Sequence, residues 1–563
     1  MQIEALVAGL VLALAPLAVA PFASSDETAS ARAVGFICAA EQYGPAPGSQ
    51  RQLVMVPGVG TGGFPIATSK PRAQAWFDYG MQLAHAFYHA DAKAAFKRAM
   101  EIDPACAMCA WGEAWSLGPT LNYDVNAVQI KAAGAVADQA SALAGGESPK
   151  NQALIAALKL RYAGPTDASG HAAADLAFAK AVNALAAKYP DDDELAIFTS
   201  DAWMSQWRNH QDDQGLARAV AVLQPVLKRH PNNTGAIHFY IHATEIAGDP
   251  ALALPYAERL GALAPGASHL VHMASHTLFR VGRYEDAAVA NAQAIAVDGA
   301  YLRAAHDVTP QGQVMYHGHD LIFGLGGALA SGDAPLGLRL ARHTPFAFPG
   351  AGGHDAYTQL IFGHPYAVYG RFDPAAALAL ADPGAGEPVA QALRHYARGE
   401  AFAARGDAAG VRAEAALTTV SDAALAPLSP RQHGVVEAVA RIAQLTLQGR
   451  AAMLDRDPKA AAVAYREAAQ IQETKLSGRE FQDPPPWWYP ERRSLAAALL
   501  SAGQIGPAKT EARAALAAWP HDPLSLQVLG EVEKAGGDTM AADRDLAQAR
   551  RDWRGQSVPL ARI

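Results

Sequence analysis

Small residues recur at a fixed interval along this chain, and no other feature limits its fold as much. Gly248 and Gly282 stand 34 residues apart, each in the same surroundings. The stretch 267–298 places Gly282 ahead of Ala287 and Ala294, and 234–265 repeats the design and ends at Pro265. From Trp76 the same order appears as Tyr79, Gly80, Leu83, Ala92, Phe96, Ala99 and Pro104. Gly503, Ala508, Ala515 and Pro520 form a further unit, and Gly530, Gly537, Ala542, Leu546 and Ala549 another. Fainter copies lie around 160–190, 200–231, 318–345, 356–380 and 392–420. Glycine and alanine at these positions let two antiparallel helices approach closely, aromatic side chains fill the space beside them, and proline stops the second helix.

Spacing for spacing, these positions resemble the tetratricopeptide repeat, a helix hairpin of 34 residues. One hairpin cannot bury its apolar face alone, so neighbours stack into a curved solenoid with a concave groove. The fold class predicted is all-α, a tetratricopeptide-repeat superhelix of helix hairpins over 71–563. A segment at 300–317 breaks the period and is predicted to be a loop insertion at the groove mouth. Abundant alanine with few β-branched residues agrees with an all-α chain.

The N-terminus has a different character. Ala5 to Ala20 is an apolar run of 16 residues, short for a membrane span and suited to a secretory signal. We read 1–23 as a signal peptide and 24–70, rich in Gly, Pro and Ser, as an irregular extension. The remaining chain is then periplasmic or secreted, with no membrane span. The 563 residues carry a net charge of −8, which argues against nucleic acid as a partner, since phosphate binding needs a clustered basic surface. Three cysteines exclude a disulfide-built scaffold. Cys106 and Cys109 open a predicted helix, where a redox pair, a metal pair and a local disulfide are all open readings.

Histidine carries the functional signal. Eight of the 19 lie between His238 and His319. Measured from the turn glycine of each repeat, His242 and His276 both lie six residues before it, and His238 and His272 both lie ten before it. His269 lies thirteen before Gly282, and His319 thirteen before Gly332. Offsets of three, four and seven put side chains on one helix face. His269, His272 and His276 therefore form one stripe, His238 and His242 a second that Glu245 continues, and His319 starts a third. Packed helices lie roughly 8–10 Å apart, close enough for such stripes to converge.

Imidazole is a common ligand of divalent transition metals, and i, i+4 pairs suit them. The predicted ligands are His238, His242, His269, His272, His276 and His319. Imidazoles with nearby thioethers, Met273 and Met315, favour copper, with zinc second. Paired HxxxH on facing helices also resembles dicopper ligand sets. Glu245, Tyr316 and Asp320, with Tyr240, are candidates for outer support or a general base. His85 and His89 make another i, i+4 pair, read as groove lining. The aromatic run ending at Tyr489, ahead of Arg492 and Arg493, either caps a groove or packs the entry to a late repeat.

The chain also resembles a little-characterised bacterial family of exported tetratricopeptide proteins. The resemblance rests on Leu83 to Phe87, Asp103 to Gly112, Pro149 to Gln152, Tyr189 to Asp192, Ala236 to Ala243, His269 to His276, His319 with Asp320 and Phe323, and Pro485 to Pro490 with Arg492. Ala274 stands where that family has Pro, and Lys70 where it has Cys. The resemblance implies a fold and export but no activity. The function predicted is metal-dependent oxidative or hydrolytic chemistry on a small or peptide-like substrate in the groove. A metal carrier and a metal-free peptide-binding scaffold are the alternatives.

Overall fold

The computed structural model describes residues 52–121, 125–165, 168–210, 212–306, 310–342, 359–360, 363–476 and 485–563, without the side chains of 168–170, 208–210 and 310–317. The signal-peptide reading and the sulfur of Met315 lie outside that description. Among the described residues every regular element is helical. The first hairpin pairs α1 (Pro71–His85) with α2 (His89–Ile102), and the next pairs α3 (Ala107–Leu117) with α4 (Ala127–Leu143). There follow α5 (Pro149–Arg161) with α6 (Ala168–Lys188), α7 (Asp193–His210) with α8 (Asp213–Arg229), and α9 (Thr234–Ala247) with α10 (Leu254–Leu263). Then come α11 (Ser268–Arg280) with α12 (Tyr284–Ala304), and α13 (Pro310–Ser331) with α14 (Ala334–Ala341). Five further hairpins span 364–379, 388–417, 430–475, 491–518 and 523–552. This is a helix-hairpin solenoid of the tetratricopeptide type. No helix among the described residues is long and apolar enough to cross a membrane.

The repeat residues act as the spacing implies. A Cβ on Gly80 would lie 2.7 Å from the Phe96 ring, and one on Gly112 2.5 Å from it, so a single phenylalanine wedges against two glycines on α1 and α3. Several turns, at Gly248, Gly332, Gly406 and Gly537, are built from Gly in the left-handed region followed by Asp. Gly332 has φ of 77°, and Asp333 then caps α14 by accepting from the Leu336 amide.

Most of the described residues of 300–317 are helical, against the expected loop. Residues up to Ala304 complete α12 and Pro310 opens α13. The period breaks because these two helices are one to two turns longer than their counterparts. The extension, where described, has no regular element and lies across the helix ends. Gly58 accepts from the Gly266 amide at 2.8 Å, Thr61 donates its amide to Thr234 Oγ1 at 2.7 Å, and Phe64 packs edge-on against Phe77. Late repeats close back on the middle of the array. Tyr284 donates to the Pro520 carbonyl at 2.9 Å, and the Arg554 amide to the Ser331 carbonyl at 2.8 Å.

Candidate metal centre

The six predicted imidazoles come together on α9, α11 and α13, and they form two triads. His238, His242 and His269 make one, and His272, His276 and His319 the other, with ligand atoms of each triad within 4.8 Å of one another. The α11 stripe is therefore shared. His269 turns to α9, while His272 and His276 turn to α13. Seven residues advance about 10 Å along a helix, so the ends of one stripe meet different neighbours. The triads adjoin, with ring centres of His242 and His276 5.5 Å apart and those of His269 and His272 5.6 Å apart. All six rings are buried, from 0% exposed at His238 and His272 to 6% at His269. They line a packed interior rather than an open groove.

The outer nitrogens decide where the protons sit. His276 donates Nδ1–H to Glu245 Oε2 at 2.7 Å, and Glu245 Oε1 accepts from Arg280 Nε at 3.0 Å. Burial opposes charge on Glu245, but His276 and Arg280 together hold its carboxyl down at about 2. His272 donates Nδ1–H to Asn291 Oδ1 at 2.6 Å, and Asp320 Oδ1 lies 3.2 Å from the same nitrogen. The Asn291 amide is itself oriented, because its nitrogen donates to the Ala287 carbonyl at 2.7 Å. Both rings thus carry their proton on Nδ1, and their bare Nε2 atoms face each other at 3.0 Å. Two lone pairs at that distance repel unless a cation lies between them or one ring takes a second proton. Burial and the neighbouring His276 push the basicity of His272 well below the ordinary histidine value, so a second proton is disfavoured on His272, which leaves a cation between the rings or a proton on His276 beside Glu245.

In the first triad one ring is fixed in the same way. His238 donates Nδ1–H to the His85 carbonyl at 2.5 Å and points its bare Nε2 at those of His242 and His269, at 3.1 and 3.2 Å. Metal–nitrogen bonds of 2.0–2.1 Å in tetrahedral array set neighbouring nitrogens about 3.3 Å apart, close to these separations. Burial lowers His238 to about 3, and burial with adjacent imidazoles lowers His242, His269 and His319 further from the ordinary value. The residues present fit a metal ion at each triad.

One phenylalanine covers each triad. The Phe87 ring lies 4.3, 5.4 and 5.3 Å from the rings of His238, His242 and His269. Phe323 lies 5.2, 4.8 and 5.4 Å from those of His272, His276 and His319. Phe87 is held at φ of 61°, a strained conformation for a residue with a Cβ, in the turn between α1 and α2. A small cavity lined by Ala84, Phe87, His89, Trp115 and Asp201 reaches the outer side of that ring.

The other predicted residues separate. Glu245 and Asp320 orient ligand rings, as an outer shell does. Glu245 has both oxygens engaged, which removes it as a free base. The Tyr316 side chain lies outside the described residues. Tyr240 stacks edge-on with Tyr256, and Met273 is buried in the apolar core away from the triads. His85 contributes its backbone carbonyl, while its ring Nε2 bonds Glu194 at 2.7 Å. His89 stacks on Phe87. Neither joins a triad. Trp487, Trp488 and Tyr489 are buried, so the aromatic run packs a repeat entry and is not exposed. Cys106 and Cys109 are joined in a disulfide. Asn291 was missed in the sequence, although an amide among the alanines of α12 was a visible anomaly. The role of the His85 carbonyl left no signal.

Fold and site together define a tetratricopeptide-type solenoid with two adjoining imidazole triads in its interior. No protein-family model matches the chain, and no curated protein matches it. Among solved structures it is similar to the human IFIT1 dimer with m7Gppp-AAAA, at 13% identity, 86% of this chain, 91% of the other and a TM-score of 0.29. It is also similar to the P58(IPK) TPR domain, at 12% identity, 64% of this chain, 94% of the other and a TM-score of 0.20. Naa15/Naa10 bound to HypK-THB gives 13% identity, 87% and 90% coverage and a TM-score of 0.22. Superpositions this loose carry no functional argument.

Proposed function

We propose that this protein is an exported solenoid whose two triads hold a pair of transition-metal ions, copper in preference to zinc, for oxidative chemistry on a small or peptide-like substrate. The observation that carries the reading is the facing pair of bare Nε2 atoms on His272 and His276, each fixed by an acceptor at Nδ1. All-imidazole donor sets suit copper and zinc over hard cations. A copper pair supplies one-electron steps and oxygen chemistry, whereas zinc would supply a water of lowered pKa. The chain's own part is to keep His238, His242, His269, His272 and His319 neutral by burial, orient His272, His276 and His238 through Asn291, Glu245 and the His85 carbonyl, and exclude water with Phe87 and Phe323. Export is part of the proposal. The apolar run at 5–20, the Cys106–Cys109 disulfide and the resemblance to an exported repeat family support it.

Burial of all six rings favours a second reading, a metal carrier without turnover. Elemental analysis of purified protein tests the common ground. The wild type should carry or take up about two equivalents of copper or zinc per chain, and His272→Ala should lose at least one while helical content stays near wild type. A wild type that stays metal-free after incubation with both ions sinks both readings. Oxygen uptake by copper-loaded protein with ascorbate then separates enzyme from carrier.

A further inference from the structure

Far along the chain from the imidazoles, four arginines converge inside the late repeats. Arg371 comes from the helix His364–Phe372, Arg450 from Pro430–Leu454, Arg493 from Glu491–Ser501, and Arg562 from the terminal turn Leu560–Arg562. A small internal cavity is lined by Arg371, Glu400, Arg450, Trp488, Tyr489 and Arg493. Leu329 also borders it, ten residues beyond His319 on α13 and so roughly 15 Å further along that helix.

Two of the four guanidiniums have a carboxylate. Arg450 Nε donates to Glu400 Oε1 at 3.1 Å, and its other nitrogens reach Tyr465, Tyr489 and the Ile563 carbonyl. Arg493 Nη1 donates to both oxygens of Asp522, at 3.0 and 3.1 Å. Arg371 donates Nη1–H to the Arg562 carbonyl at 2.8 Å and lies over the Trp553 ring at 5.7 Å, with no carboxylate among the described residues hydrogen-bonded to it. Four buried donor atoms, Arg371 Nη2, Arg493 Nε, Arg562 Nε and Arg562 Nη2, find no hydrogen-bond partner among the described residues. Arg493 is only 5% exposed, so bulk water does not serve it. Glu491 accepts from Thr446 and Trp487 through Oε1 and is pushed up to about 7 by burial, and its Oε2 and Glu400 Oε2 are the two buried acceptors left without a partner here, half as many as the four donors. Burial and the facing Arg493 also pull Arg371 down to about 9. A buried guanidinium with unmade hydrogen bonds is costly, and planar N–H forks match oxyanions.

We propose that this cavity is a binding site for a small oxyanion, a carboxylate or phosphate group held by the free N–H edges of Arg371 and Arg493, which line it. The site is independent of the metal reading. Its test is isothermal titration of the full-length protein with sodium acetate and with sodium phosphate, sodium Hepes keeping ionic strength constant. Saturable binding of one equivalent of either salt supports the site, and the tighter of the two gives the headgroup it takes. Arg371→Gln should weaken it at least ten-fold with metal content unchanged. Arg493→Lys, which keeps the charge opposite Asp522 but loses the free Nε–H, should weaken it likewise and covers the case in which Arg371→Gln fails to fold. Absence of saturation with both salts in the wild type, or equal affinity in a folded variant, overturns the proposal.

Discussion

Two buried polar clusters in this solenoid are mirror images in their hydrogen-bond arithmetic. At the imidazole triads lone pairs outnumber protons, because the His85 carbonyl, Asn291 and Glu245 each hold a ring proton on the outer side. At the arginine cluster protons outnumber lone pairs, because Glu400 and Asp522 serve only two guanidiniums. Buried groups left unmatched in one direction specify the sign of a guest, a cation at the first and an anion at the second. The arrangement of neighbours, more than the residue type at the centre, sets that sign.

Acid should separate the clusters most. His238, His242, His269, His272 and His319 all titrate below the ordinary value of 6.5 when folded, and His238 does so near 3. Below pH 6.5 the unfolded chain therefore binds more protons than the folded one, so stability falls as pH drops from about 6.5 toward the folded values. Each ring contributes up to about 1.4 kcal/mol per pH unit in that window. Bound metal steepens the loss, since its ligands must be deprotonated. Glu245, held at about 2, adds a later loss as pH falls from about 4.5 toward 2. Arginine stays charged throughout. Urea unfolding between pH 8 and 5 should show several kcal/mol lost. A flat profile would mean that the imidazoles are not locked neutral.

A smaller effect tests the outer hydrogen bonds. Asn291→Leu removes the acceptor that fixes the His272 tautomer, and metal affinity should fall 10–100-fold, about 1.4–2.7 kcal/mol. Glu245→Gln keeps an acceptor oxygen for His276 but loses the charge, so its loss should sit at the lower end. Competition with a chromogenic chelator measures both. Wild-type affinity in Asn291→Leu would break the claim that outer acceptors set the donor surplus.

These roles were unequally legible in the sequence. The hairpins announced themselves because Gly80, Gly282 and Ala294 answer to close backbone approach, a demand that repeats with the fold. Hairpins 107–143 and 430–475 escaped notice, since among the described residues neither has a left-handed glycine in its turn, the second turning at Arg456 instead. Histidine offsets from the turn glycines gave the six imidazoles that converge, because equivalent helices repeat equivalent positions. They did not give the partition into triads, which depends on how far each α11 residue lies along the axis. Glu245 read as a base until its two oxygens were seen to be engaged. Arg371, Arg450, Arg493 and Arg562 share no spacing, so only the closure of late repeats brings them together.

The least of these effects concerns Arg371 without its guest. Replacing it with methionine keeps much of the side-chain volume and removes a donor that has no partner at Nη2. The hydrogen bond from Nη1 to the Arg562 carbonyl is lost as well. Removing a buried charge that lacks a carboxylate is often neutral or favourable, so the two terms should nearly cancel. In acetate- and phosphate-free buffer, Arg371→Met should change unfolding free energy by no more than about 1 kcal/mol. In saturating oxyanion the wild type alone should gain stability, because only it binds the ligand in the folded state. A loss above about 3 kcal/mol in the anion-free buffer would show that Arg371 is held by the protein itself, and the two clusters would then no longer be opposites.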